Sequence, residues 1–66
     1  MTIRFCTKRD QNGNKSYLIM SVKAKCYTRM PNGIPHPDDC IEISRRDLNR
    51  LEEQLEKDHW THCDTM

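Results

Sequence analysis

Residues 2–28 read TIRFCTKRDQNGNKSYLIMSVKAKCYT, and Asn12-Gly13 near their middle decides the fold. Asn-Gly between alternating apolar stretches is the strongest short-range hairpin signal, because both central residues of a type I′ turn take φ > 0. A two-residue loop there is expected to oppose Thr7 to Leu18, Phe5 to Met20 and Ile3 to Val22. Facing residues share a sheet face, so these six form one apolar patch with Ala24. The other face then carries Arg4, Cys6, Lys8, Tyr17, Ile19, Ser21 and Lys23.

Outward from the turn, residues 2–8 read as the first strand and 15–28 as a long second one. Leu18, Met20, Val22, Ala24 and Cys26 alternate inward along it. The segment 30–39, MPNGIPHPDD, holds three prolines and a second Asn-Gly, which excludes both helix and central strand. After this loop, residues 40–43 alternate as a third strand, antiparallel to 24–29, with Ile41 and Ile43 facing inward. Ser44 then caps a helix over about 45–59. Asp47 is at the capping-box position, and Ile43 and Leu48 are spaced as a hydrophobic staple. Leu48, Leu51 and Leu55 make its apolar stripe, opposite Arg46, Asn49, Arg50, Glu53 and Lys57. Residues 60–66 read as a tail.

The expected architecture is α+β: a three-stranded antiparallel β-meander with one C-terminal α-helix packed on one face, a single domain over 1–66. Its core would be Ile3, Phe5, Leu18, Met20, Val22, Ala24, Ile41, Ile43, Leu48, Leu51 and Leu55, closed by Trp60. So thin a core implies marginal stability or help from a homodimer formed through the open edge of strand one.

Charge is divided along the chain. Residues 1–30 carry seven cations against Asp10, a net +6, and residues 31–66 carry four against nine acids, a net −5. No segment is apolar enough to span a membrane and no signal-peptide run opens the chain, so the expected compartment is the cytoplasm. Reduced thiols are then expected for Cys6, Cys26, Cys40 and Cys63, with Cys26–Cys40 the best-placed pair should a disulfide form. The spacing lacks C-x₂-C, so no metal site is assigned. Cys26, Cys40, His59, His62 and Cys63 are the weak candidates for a zinc-stapled mini-domain.

No Gly-rich phosphate loop, HExxH motif or paired catalytic carboxylates occur, and His62-Cys63 lie in the tail. No enzyme and no cofactor are expected. A chain this small has about 4,400 Å² of surface, so one standard interface of roughly 800 Å² occupies nearly a fifth of it. Surface binding is therefore favoured over catalysis in a cleft. The expected contact surface is the basic sheet face bearing Arg4, Lys8, Tyr17, Ile19, Lys23, Lys25, Tyr27 and Arg29, flanked by the proline loop. A protein partner is favoured because dedicated nucleic-acid binders are strongly basic. Cations interleaved with tyrosines also suit single-stranded nucleic acid, the alternative partner. Size and divided charge match the style of phage and mobile-element proteins that inhibit or assist a host nucleic-acid-handling machine such as a CRISPR-type complex, although no family motif is present.

Overall fold

In the computed structural model, which describes residues 1–30 and 37–63, β1 (Thr2–Cys6) and β2 (Tyr17–Ser21) form the expected antiparallel hairpin in a different register. Gly13 N donates to Asp10 O at 3.0 Å, and Asp10 N donates to Asn14 O at 2.9 Å. Gly13 has φ +80°, whereas Asn12 does not enter the left-handed region, so the turn is not type I′. The Asp10 carboxylate explains the choice, since its Oδ1 accepts from Asn12 N at 2.9 Å and from Asn14 N at 3.0 Å. The loop is thus Gln11, Asn12 and Gly13. One extra residue follows on the β1 side, where Lys8 and Arg9 stand against Lys15 alone. Together these slide the register by two: Phe5 opposes Leu18, and Ile3 opposes Met20. Two residues are one full pleat period, so the faces survive although the partners change.

The long second strand is in fact two strands. β2 ends at Ser21, residues 22–25 turn, and β3 (Cys26–Met30) returns antiparallel to it. Lys25 closes the turn at φ 53°. Ser21 now opposes Cys26 and Met20 opposes Tyr27, which reverses the facing of everything after the turn. Cys26 moves off the apolar face; Tyr27 and Arg29 move onto it.

The third strand is also corrected. β4 (Ile41–Glu42) runs parallel to β1, not antiparallel to 24–29, and Ile43 N donates to Cys6 O at 2.7 Å. The tail contributes β5 (Thr61–His62), parallel to β3. The result is a mixed five-stranded sheet in the order β4-β1-β2-β3-β5. β1 is consequently flanked on both sides, and the expected dimer edge is partly covered by β4.

Helix α1 (Arg45–Lys57) links the two edge strands across the apolar face. Ser44 accepts from Asp47 N at 3.1 Å, as its N-cap position requires. The far end is a Schellman motif: His59 N bonds to Glu56 O at 3.2 Å and Trp60 N to Leu55 O at 3.0 Å, with His59 left-handed at φ 64°. That motif turns the chain out of the helix and into β5. Leu18, Met20, Tyr27, Leu48 and Leu55 form the core, with Phe5, Ile43, Leu51 and Trp60 packed against it. Ala24, Val22 (42% exposed) and Ile41 (56% exposed) leave the expected core, because the turn and the short edge strand carry them beyond the helix.

All four cysteines are oxidised, as Cys6–Cys40 and Cys26–Cys63. Neither reduced thiols nor the Cys26–Cys40 pairing is found: the turn at 22–25 places Cys26 beside β5 and so beside Cys63. Sequence separations of 34 and 37 residues correspond to a chain-entropy stabilisation of about 4 kcal/mol for each bond. The loops interlace, so the two contributions do not simply add. These cross-links offset the thin core. Among the described residues, no helix is long and apolar enough to cross a membrane.

Candidate functional site

The residues expected to share one basic face are distributed over four places. Arg4 lies on the sheet face away from α1, half-buried, and pairs with Asp39 at 3.5 Å. Tyr17 and Ile19 share that face but are only 3% and 6% exposed, so neither is offered to a partner. Lys8 is exposed near the tip of the first hairpin, whereas Lys23 and Lys25 are exposed in the second turn, at the other end of the sheet. Tyr27 and Arg29 lie under or against the helix. Of the proline loop, residues 31–36 lie outside the described residues.

The helix–sheet seam gathers a polar group that the sequence reading assigned to solvent. Tyr27 is fully buried, and its hydroxyl donates to Glu56 Oε1 at 3.3 Å. With that proton committed, the phenol oxygen accepts from His62 Nε2, 3.4 Å away, which calls for the Nε2–H form of the ring. The two rings lie 4.6 Å apart. Burial raises the Tyr27 pKa above 10, reinforced by the charge and hydrogen bond of Glu56 and by the charge of Glu52. Alongside, Arg29 Nη1 donates to Asn49 Oδ1 at 2.8 Å and to Glu52 Oε2 at 2.6 Å. A shallow depression of about 370 Å³ lies over Arg29, Asn49, Glu52, Glu53 and Glu56. Every polar atom of Tyr27 and Arg29 just described is engaged within the fold, so this seam reads as a fastening of helix to sheet.

The opposite end of α1 differs. A cleft of about 460 Å³ opens between the first hairpin and the start of the helix, lined by Thr7, Lys8, Asp10, Glu42, Ile43, Ser44 and Arg45. Lys15 pairs with Glu42 at 3.6 Å, and Arg9 bonds to the carbonyl of Gly13 at 2.9 Å. Arg45, Arg46 and Arg50 extend the basic surface along the helix; all three are exposed, and their guanidinium groups have no ion-pair or hydrogen-bond partner among the described residues. The helix is charged against its own dipole. Residues 45–50 hold three arginines against Asp47, and residues 51–58 hold Glu52, Glu53, Glu56 and Asp58 against Lys57. A helix N-terminus carries partial positive charge and its C-terminus partial negative charge. In the first turn Arg45 and Arg46 outweigh Asp47, and at the other end Glu56 and Asp58 outweigh Lys57, so each end is left with one net charge of the unfavourable sign. Arg46 and Arg50 also repel each other at i, i+4. The signal was present in the sequence: three arginines within six residues of the capping Ser44.

The zinc candidates do not form a ligand set among the described residues. Cys26 is bonded to Cys63 and Cys40 to Cys6, His59 ends the helix, and His62 packs on Tyr27. Among the described residues, no group of three or more His, Cys, Asp or Glu side chains is placed to hold a metal ion. Comparison with protein-family models, curated proteins and solved structures finds no match to this chain.

Proposed function

We propose that this is a non-enzymatic binding protein that engages an acidic protein surface with the basic end formed by Lys8, Arg9, Arg45, Arg46 and Arg50. The observation that supports it is the reversed charge of α1. Arginines at the positive end of a helix, without acid partners, lower the stability of the free protein, and an anionic partner would recover that cost on binding. Arg is also the cation best suited to carboxylate recognition. An inhibitor or accessory role of the phage type is one form such binding takes.

A protein partner is preferred to single-stranded nucleic acid for two reasons. Base stacking needs accessible rings, and Tyr17 and Tyr27 are both buried. The acids Asp10, Glu42 and Asp47 also stand among the cations and would repel phosphates. As for compartment, two formed disulfides favour an oxidising one over the cytoplasm expected from the sequence.

The test is an anisotropy titration of the protein with a labelled polyglutamate peptide and a labelled single-stranded oligonucleotide, at two salt concentrations. Wild type and the Arg46→Glu/Arg50→Glu variant are compared. The wild type should bind the acidic peptide, more weakly in high salt, and the variant should lose roughly tenfold or more in affinity while melting no lower. Equal binding by the variant, or no binding of the peptide at low salt, overturns the proposal. Preferential binding of the oligonucleotide with a steep salt slope would replace it with the nucleic-acid reading.

A further inference from the structure

The two disulfides occupy corresponding places on opposite edges of the sheet. Cys6 ends β1 and is bonded to Cys40, the residue before β4; Cys26 begins β3 and is bonded to Cys63, the residue after β5. Each edge strand pairs with its neighbour through only two residues. So short a parallel ladder has little stability of its own, and the covalent bond holds it in place.

The two bonds differ in access. Exchange begins when a thiolate approaches a disulfide sulfur, so the accessible bond reacts first. Cys6 is 1% exposed, which closes one side of its bond to attack and leaves only the half-buried Cys40 sulfur to approach. Cys26 and Cys63 are both half-buried, and the strand residues Thr61 and His62 between the helix and Cys63 are exposed. β5 also follows the helix directly, so once its far end is released only its two-residue ladder to β3 and the His62–Tyr27 contact still hold it.

We propose that Cys26–Cys63 is a redox latch on β5, opened by a dithiol reductant while Cys6–Cys40 stays closed. A reductant thiolate attacks one sulfur of the latch, forming a mixed disulfide, and the other cysteine sulfur leaves and takes up a proton. The second thiol of the reductant then resolves the mixed disulfide. Two electrons and two protons have passed to the protein, and the reductant is left as its own disulfide. The outer edge of β3 is what the latch guards. Lys25 O accepts from Thr61 N at 3.3 Å, and Tyr27 O accepts from Cys63 N at 3.0 Å. Both carbonyls lose their partners when β5 leaves, and the Tyr27 hydroxyl loses His62. Reduction thereby converts a stapled sheet edge into an open one able to accept another strand.

The test uses the full chain, folded, in graded dithiothreitol without denaturant. Thiols are quenched with N-ethylmaleimide and located by mass spectrometry, and amide exchange is followed in parallel. Cys26 and Cys63 should become labelled at reductant concentrations roughly tenfold below those that label Cys6 and Cys40. Exchange should quicken at Thr61 and Cys63 while β1 and β2 stay protected. Labelling of Cys6–Cys40 first, labelling of all four together with loss of all protection, or no labelling without denaturant would each overturn the latch. The Cys26→Ala/Cys63→Ala variant gives a second measurement: protected β1 and β2 amides with exposed β5 amides support it, and β5 protection equal to wild type refutes it.

Discussion

The Tyr27 hydroxyl reaches Glu56 Oε1 at 3.3 Å, joining the start of β3 to the last turn of α1. The ring beneath that hydroxyl is fully buried, so Tyr27 is a core residue with a polar tip. Tyr27→Ala should cost about 3–5 kcal/mol, enough to remove much of the stability of so small a domain. Tyr27→Phe keeps the packing and should cost about 1 kcal/mol. Urea unfolding followed by Trp60 fluorescence measures both; an alanine variant with the wild-type midpoint would refute the core assignment.

The same tyrosine predicts an alkaline limit. Its folded pKa is raised by burial and by Glu56, so the unfolded chain releases the proton first. The stabilisation is complete below about pH 10, the unfolded value, and declines as pH rises from there through the folded value. Melting temperature should fall over that range in wild type and fall less in Tyr27→Phe. Identical alkaline slopes for the two proteins would show that Tyr27 is not the group responsible.

His59 and Lys25 are the non-glycine residues of positive φ among those described, at 64° and 53°. An L side chain is disfavoured there by roughly 1–2 kcal/mol, and glycine removes that strain at some cost in unfolded-chain entropy. His59→Gly and Lys25→Gly should each raise stability by up to about 1 kcal/mol. Lys23→Gly, in the same turn but not left-handed, should give no gain. A destabilised His59→Gly would mean that the imidazole makes a contribution beyond its backbone geometry.

Arg29 and Glu52 offer a coupled pair for a double-mutant cycle. Their side chains are 31% and 21% exposed, and the contact is 2.6 Å. Partial burial lifts such a pair above a surface ion pair, while residual solvent limits it to a coupling of about 1 kcal/mol. Arg29→Met and Glu52→Gln, singly and together, at low and high salt, provide the measurement. Strict additivity would show that the pair contributes specificity of packing without net stability.

What could be read in advance differs element by element. The helix was legible because its signals are local: Ser44 caps it, and Leu48, Leu51 and Leu55 mark its buried side within a few turns. Its end came two residues early, where Asp58 closes the last turn and His59 takes the left-handed position more often filled by glycine. The first hairpin was legible as a hairpin but not in register, since Asp10 drew two loop amides onto its carboxylate and displaced the two-residue turn. The second hairpin was not legible, because Val22 and Ala24 continue the inward alternation straight through the turn. That one miss reversed Cys26, Tyr27 and Arg29 together and dissolved the expected binding face. At the basic end of the helix, Arg46 and Arg50 were legible only as members of the face opposite the leucine stripe.

The sequence by itself determined the α+β class, the existence of the first hairpin, the two faces of β1 and β2 and the position of the helix, all consequences of periodicity and capping within a few residues. Tertiary structure alone decided the five-stranded order, the parallel edge strands, the disulfide pairing and the burial of Tyr27. Those depend on contacts between residues 20 to 37 positions apart, such as Arg29 with Asn49 or Cys26 with Cys63, which local propensity does not encode. A turn without glycine, closed by Lys25 in a strained conformation, is the point at which local reading and global fold part company.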